Sequence, residues 1–257
     1  MTGTNEERAG ALYFGENAEE YRAFRPDYPA ALFEWLAAAA PARGLAWDCG
    51  AGSGQAAMGL ARHFDRVLAT ERDPRQLAMA PRRPNIDYRL AAAEDDPGLE
   101  GTVDLIACAC SLHWFDLPRF YANAARALKP GGGVAVWTYD WPWTGTAALD
   151  AVLERLKSEI LGPFWGQTSG YYFSGYRTLP FPFPERPAPA FETPIAESPD
   201  DLLRFLSTWS AVQKYRERRG ADPLALVEKP LDAAWRQSPP SVPLCVPLHL
   251  RFGCKAD

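Results

Sequence analysis

Residues 47–55 read Trp-Asp-Cys-Gly-Ala-Gly-Ser-Gly-Gln. A short apolar run, Leu45 to Trp47, feeds the glycines, and a helical pattern, Gln55 to Phe64, leaves them. The spacing Gly50-Ala51-Gly52-Ser53-Gly54 is G-x-G-x-G. The dinucleotide fingerprint G-x-G-x-x-G would need glycine at position 55, where glutamine stands. Asp48 precedes the first glycine by two residues. A carboxylate there can hold backbone amides of the turn, and through them or a water reach an ammonium group. It would repel a pyrophosphate. A second acid, Glu71, ends the next apolar run, Arg66 to Thr70. At the carboxyl end of a strand an acid can accept hydrogen bonds from both hydroxyls of a ribose. The implied ligand has an amino-acid end, a ribose and an adenine, and no phosphate; S-adenosyl-L-methionine fits.

Working outward, helical and extended patterns alternate. Helices are expected over Pro29–Ala40, Gln55–Phe64, Pro74–Ala80 and Leu117–Leu128. Strands are expected over Leu45–Trp47, Arg66–Thr70, Ile86–Leu90, Val103–Cys110 and Gly133–Trp137. The run Val103–Cys110 is almost continuously apolar, as suits a strand covered on both faces. This alternation predicts an α/β fold with a doubly wound, mostly parallel sheet of seven strands. After Asp140, proline, glycine and aromatics dominate, in WPWTG, GPFWG, YYFSGY and LPFPFPERPAP. Only Ala147–Leu161 and Leu202–Tyr215 read as helices there, and Val242–Phe252 reads as a late strand. The expected division is a binding core with an N-terminal cover over 1–140, a substrate cap over 141–220, and a C-terminal strand over 221–257 that completes the sheet.

The 257 residues carry 47% apolar side chains and a net charge of −5. That balance argues against a nucleic-acid backbone as partner. The basic run Lys214–Arg219 reads as a solvated helix face. No run approaches the about 18 apolar residues of a membrane span. The N-terminal MTGTNEERAGALYFGENAEE lacks the basic-then-apolar order of a signal peptide. A cytoplasmic monomer or homodimer is the expectation. The five cysteines show no paired spacing and read as reduced core thiols, with no metal site.

The glycine turn and its acids resemble the class I S-adenosylmethionine-dependent methyltransferases. The resemblance extends to Leu128-Lys129-Pro130-Gly131-Gly132 before a strand, and to Ala92-Ala93-Glu94. The family often has Asp-Ala-Glu at the latter place, so Ala92 removes a contact to the adenine amine. Tyr21, Arg25, Pro26, Tyr28 and Pro29, with Ser111-Leu112-His113-Trp114-Phe115, look like the type 11, trans-aconitate methyltransferase-like branch. The resemblance implies a cofactor set of Tyr21, Arg25, Asp48, Gly50, Ala51, Gly52, Gly54, Glu71, Arg72, Ala93, Glu94 and Cys110. In it, Tyr21 and Arg25 would cover the methionine end.

The acceptor is expected to be a small molecule, with a carboxylate as one candidate, held by His113, Trp114, Trp137, Tyr139 and Trp209. Transfer from a sulfonium is an in-line displacement that depends on alignment. Aromatic walls suit the sulfonium by cation–π contact, roughly 0.5–2 kcal/mol each. A hydroxyl or amine nucleophile needs a base, for which His113 is the candidate by type and position; a carboxylate needs none, and His113 would then orient it. His63 and His249 read as structural. Two rival classes are a nicotinamide-dependent oxidoreductase, disfavoured by the turn spacing and Asp48, and a non-catalytic cofactor-binding protein on the same sheet.

Overall fold

The computed structural model describes residues 18–256, and the expectation about a leader at residues 1–17 lies outside them. Five parallel strands form the centre of the sheet: β1 Leu45–Cys49, β2 Arg66–Glu71, β3 Ile86–Leu90, β4 Val103–Ala109 and β5 Leu128–Tyr139. Their order across the sheet is β3-β2-β1-β4-β5. A late strand, β8 Leu244–Cys254, pairs antiparallel with β5 from Gly133↔Cys254 to Tyr139↔Leu248. The order reverses at β1, so the carboxyl ends of β1 and β4 flank a crevice where open sheets of this type take ligands.

Strands β1, β4 and β5 are buried on both faces, and side-chain alternation sends their residues into two cores. Ala46, Leu105, Ala107, Ala135 and Trp137 pack into the larger one, beneath helices α1 Ala18–Phe24, α2 Ala30–Ala39 and α3 Gln55–Leu60 and the second half of the chain. Trp47, Ile106, Cys108, Val134 and Val136 enter the other. Helix α4, Pro74–Ala78, is capped by Asp73, whose carboxylate accepts from the Arg75 amide. Helix α5, Leu117–Ala127, turns Phe120, Tyr121 and Ala124 onto the second core.

Helices α2 and α3 touch at a glycine. A Cβ on Gly59 would lie 2.2 Å from the Phe33 ring. Gly59→Ala is expected to cost about 1–3 kcal/mol through overpacking, and to lower the midpoint of thermal unfolding by several degrees. A melt at or above the wild-type midpoint would show that Phe33 yields freely.

The second half departs from the sequence reading in five places. The sheet has eight strands, not seven: β6 Glu185–Arg186 and β7 Phe191–Ala196 lie along the outer edge of β8. Proline hides this strand signal. Pro194 sits in the edge strand β7 opposite Cys245, where a missing donor is tolerated, and Pro247 sits in β8 opposite Glu192, one residue beyond the last β5–β8 pair, Tyr139↔Leu248. The expected helix 147–161 is α-helical only over α6, Ala147–Glu154, and continues as a π-turn over Arg155–Ile160. A short helix, α7 Ser169–Phe173, begins just before YYFSGY and takes in its first three residues.

The expected helix 202–215 is two, α8 Pro199–Ser207 and α9 Ser210–Arg219. The apolar spacing runs across the break, so periodicity could not reveal it. The local cause is hydroxyl competition for helix carbonyls: Ser207 Oγ donates to Arg204 O and Thr208 Oγ1 to Phe205 O, both at 2.6 Å. Trp209 is then extended, at φ −80°, ψ 138°. Helix α10, Glu228–Gln237, was not anticipated.

Candidate functional site

The floor of the main cavity is the turn after β1. Gly50, Gly52 and Gly54 adopt φ of 72°, 55° and 85°, the left-handed region that glycine enters without steric cost. At two of them space is also closed. A Cβ on Gly50 would meet Ser111 at 2.7 Å, and one on Gly54 would meet Tyr88 Oη at 2.7 Å. Gly52 is spatially open, with nothing nearer than 3.9 Å.

The amides of this turn are held by β2, not by Asp48. Thr70 O accepts from Gly50 N at 2.9 Å and Ala51 N at 3.0 Å. Glu71 Oε2 accepts from Gly52 N at 2.9 Å, while its Oε1 accepts from Arg72 N at 2.8 Å and Asp73 N at 2.9 Å. The Glu71 carboxyl is pushed up by burial, against the pull of these amides.

Two acids are fully buried on the central strands, and their surroundings differ. Asp104, in β4, is saturated: Gly44 N and Leu45 N donate to Oδ2 at 2.9 Å, and Lys129 pairs with Oδ1. Asp48, inside β1 between Ala69 and Ala107, has no hydrogen-bond partner on either oxygen. Burial pushes its carboxyl to about 7; the Ala57 amide opposes this without closing an ordinary hydrogen bond, and Glu71 adds to it. A buried orphan carboxylate costs several kcal/mol unless a cation or proton meets it. Asp104 is a structural acid; Asp48 is poised for a cationic partner.

The walls come from the other strand ends. Arg72 follows β2, and Ala91, Ala93 and Glu94 follow β3. Glu94 is partly committed: its Oε1 accepts from Asp116 N at 2.7 Å, and its carbonyl from Asn123 Nδ2 at 3.0 Å. Asp95 caps the Ala92 amide at 2.8 Å. Cys110 ends the β4 side with φ 53°, its thiol accepting from Tyr28 Oη at 3.6 Å. Ser111 Oγ donates to Cys49 O at 3.1 Å and ties this loop to β1.

The cover joins α1 to the segment 165–173 and the α8–α9 junction. Arg25 lies over four rings: Tyr21 at 4.8 Å, Tyr139 at 5.3 Å, Trp209 at 5.7 Å and Phe205 at 5.8 Å. One of its Nη groups donates to Thr208 O at 3.2 Å, while Nε is buried without a partner. His113 is packed against Trp114 at 4.7 Å, Tyr172 at 5.6 Å and Tyr176 at 5.7 Å. Burial first, and Arg25 second, drive its imidazole down to about 3.

Of the residues singled out in the sequence, Tyr21, Arg25, Gly50, Ala51, Gly52, Glu71, Arg72, Ala93, Glu94, Cys110, His113, Trp114, Tyr139 and Trp209 line this one cavity. Asp48 and Gly54 lie beneath it. Trp137 does not reach it: the ring is fully buried on the larger core and meets Tyr28 edge-on at 5.3 Å. The alternation of β5 places it there, one residue pair before Tyr139. His249, outside the cavity, meets Asp140 at 3.4 Å. The lining residues not singled out include Gln55, Gln76, Trp165 and Tyr172. Trp165 and Tyr172 stand in the aromatic segments, where composition marks a cap without marking which ring turns inward.

A mostly parallel sheet, a phosphate-hostile glycine turn and two acids at adjacent strand ends define a methyltransferase-type nucleoside-binding fold. The comparisons with known proteins agree. A methyltransferase-domain family model matches residues 47–136. The chain is 31% identical over 226 residues to a protein of Dictyostelium discoideum named as a methyltransferase, spanning 87% of this chain and 86% of that one. An uncharacterized methyltransferase of Schizosaccharomyces pombe is 27% identical over 209 residues, 78% of this chain and 80% of that one. A solved structure from Anaeromyxobacter dehalogenans, named as a type II methyltransferase, is 43% identical with a TM-score of 0.78, covering 91% of this chain and 99% of that one. The chain belongs to the methyltransferase family. Among the described residues no helix is long and apolar enough to cross a membrane, and no cluster could hold a metal ion.

Proposed function

We propose that the protein transfers a methyl group from S-adenosyl-L-methionine to a small-molecule acceptor, with a carboxylate as the acceptor group. The observation that carries the cofactor is the orphan carboxylate of Asp48 under the glycine turn, beside Glu71 at the next strand end. These two acids suit an ammonium and a ribose diol. Arg25, with Tyr21, would face the methionine carboxylate, Ala93 and Glu94 the adenine, and Gly52 leaves room for the ligand. When bound, this cofactor supplies a sulfonium methyl whose carbon–sulfur bonding pair returns to sulfur as the acceptor's lone pair takes the methyl. The protein's own residues align the partners, exclude water with the 165–173 cover, and line the reaction space with rings.

The carboxylate reading rests on His113. An imidazole held down to about 3 is a poor proton acceptor at neutral pH. An acceptor that arrives ionised needs no base. Trp114, Tyr139, Tyr172 and Trp209 give the acceptor an apolar, aromatic bed. The segment 141–220 would act as a substrate cap, with its edge strands β6 and β7 anchored on β8.

Calorimetry with S-adenosylhomocysteine and with NAD separates the cofactors: the first is expected to bind and the second not. Binding of NAD alone would sink this reading in favour of the oxidoreductase. An acceptor screen scored by S-adenosylhomocysteine release, comparing carboxylic acids, phenols and amines, is expected to find its turnover among the acids.

A further inference from the structure

We infer that Tyr176 fixes the tautomer of His113, so that the imidazole offers the acceptor an Nε2–H donor and not a basic nitrogen. The inference rests on the reading above in placing the acceptor beside His113.

The contact is between Tyr176 Oη and His113 Nδ1, at 2.8 Å. Such a pair can be made in two ways, with the proton on oxygen or on nitrogen. The surroundings of the phenol decide between them. Tyr176 is fully buried, and its hydroxyl is pushed well above its ordinary range, chiefly by burial. It therefore keeps its proton. The hydrogen-bond partner that the geometry gives Oη is His113 Nδ1, the basic atom that can take the phenol's own proton. A buried hydroxyl proton facing an Nδ1–H would be left unsatisfied. The neutral ring then carries its hydrogen on Nε2.

Placement agrees. His113 lines the cavity and Tyr176 does not. The Nδ1 edge is turned away to the tyrosine, which leaves the Nε2 edge for the cavity. Trp114 and Tyr172 clamp the ring on its sides. Tyr176 is itself fixed: its backbone has φ 61°, and its carbonyl accepts from Arg251 Nη1 at 2.7 Å. Arg251, in β8, is locked in turn by both oxygens of Glu185, at 3.1 and 2.7 Å. Tyr176 is a positioning residue, acting through His113 and itself anchored by Arg251 on the last strand of the sheet. A donor at Nε2 suits an oxygen anion on the acceptor, in line with a carboxylate.

Long-range proton–nitrogen NMR of the ligand-free protein tests this directly, since the chain has only three histidines and His113→Gln identifies the one at issue. The expected wild-type spectrum shows His113 neutral from pH 5.5 to 8.5, protonated on Nε2, with Nδ1 accepting a hydrogen bond. Tyr176→Phe should move Nδ1 toward the position of a non-bonded nitrogen and let the Nδ1–H tautomer appear. An Nδ1–H tautomer in the wild type, or an Nδ1 signal unmoved in Tyr176→Phe, would overturn the assignment.

Kinetics with an acid from the screen add a second readout. Tyr176→Phe is expected to lower kcat/KM on the order of tenfold, and His113→Gln, which keeps a donor, to retain more activity than His113→Ala. A wild-type ionisation near pH 6–7 that disappears in His113→Gln would make His113 a base and overturn the proposal. Failure of every acid would count against the proposed acceptor alone, because the NMR result needs neither cofactor nor acceptor.

Discussion

Asp48→Asn is expected to stabilise the ligand-free protein at pH 8 while weakening its hold on S-adenosylhomocysteine by about tenfold to a hundredfold. The stability side follows from proton linkage. Burial raises the folded Asp48 carboxyl from 3.8 to about 7. Between these values the folded state binds a proton that the unfolded state does not, so stability falls as pH rises from about 4 to about 7, then levels. At pH 8 the penalty for the buried charge is about 4 kcal/mol on an order-of-magnitude scale. An asparagine amide without partners returns about 1–3 kcal/mol of that cost. The remainder should appear in urea melts as a gain at pH 8 and little change at pH 5. A mutant whose pH dependence runs parallel to the wild type would refute the orphan-acid account. The binding side follows from losing the buried charge beneath the turn that attracts the ammonium. Wild-type affinity should also weaken below about pH 7, where the ligand must displace the proton, and in Asp48→Asn that dependence should vanish.

Substitution of Glu71 is expected to give the larger loss of affinity, about a hundredfold or more, with no compensating gain in stability. The acid carries two loads. It pins the Gly52, Arg72 and Asp73 amides, and its outer face is the proposed seat of the ribose. Glu71→Gln preserves the shape, yet its amide nitrogen must face an N–H donor on one side. With Oε toward Arg72 and Asp73, the NH2 group opposes the Gly52 amide; flipped, it opposes two. Each unsatisfied buried donor costs about 1–3 kcal/mol. Glu71→Ala frees all three amides. Calorimetry with S-adenosylhomocysteine on both variants reads the effect, and affinity within twofold of wild type in either would remove Glu71 from the site.

The first half of the fold was legible because both of its signals are local. Strands such as Val103–Ala109 are apolar but for Asp104, and the glycine turn announces a change of direction by residue type alone. The floor of the candidate site was legible for the same reason, although the division of labour between its acids was not. Asp48 has the position of an acid that could clamp the turn, but inside β1 its oxygens close no hydrogen bond with the turn amides, and Glu71 takes that work. Tertiary register decides this, and no spacing in the chain encodes it. Trp137 and Tyr139 differ in the same way: two residues apart on one strand, one meets the core under Tyr28 and the other reaches the cavity as the strand leaves the sheet. The cap was least legible. Its prolines erased the pattern of β7, and its aromatic segments mark burial without direction. Tyr176 matters to His113 only because a left-handed turn and Arg251 bring it there.

Strand β8 has a consequence for how the molecule is assembled. Until residues 244–254 are in place, β5 presents one open edge, and β6 and β7, made earlier in the chain, have no sheet to join. The nucleoside floor can form from the first half alone, whereas the cover is stitched to it by a strand some hundred residues away from its neighbour β5. Long-range closures of this kind are slow relative to local ones. The same strand that seals the sheet carries Arg251, which holds the Tyr176 carbonyl and with it the phenol that meets His113.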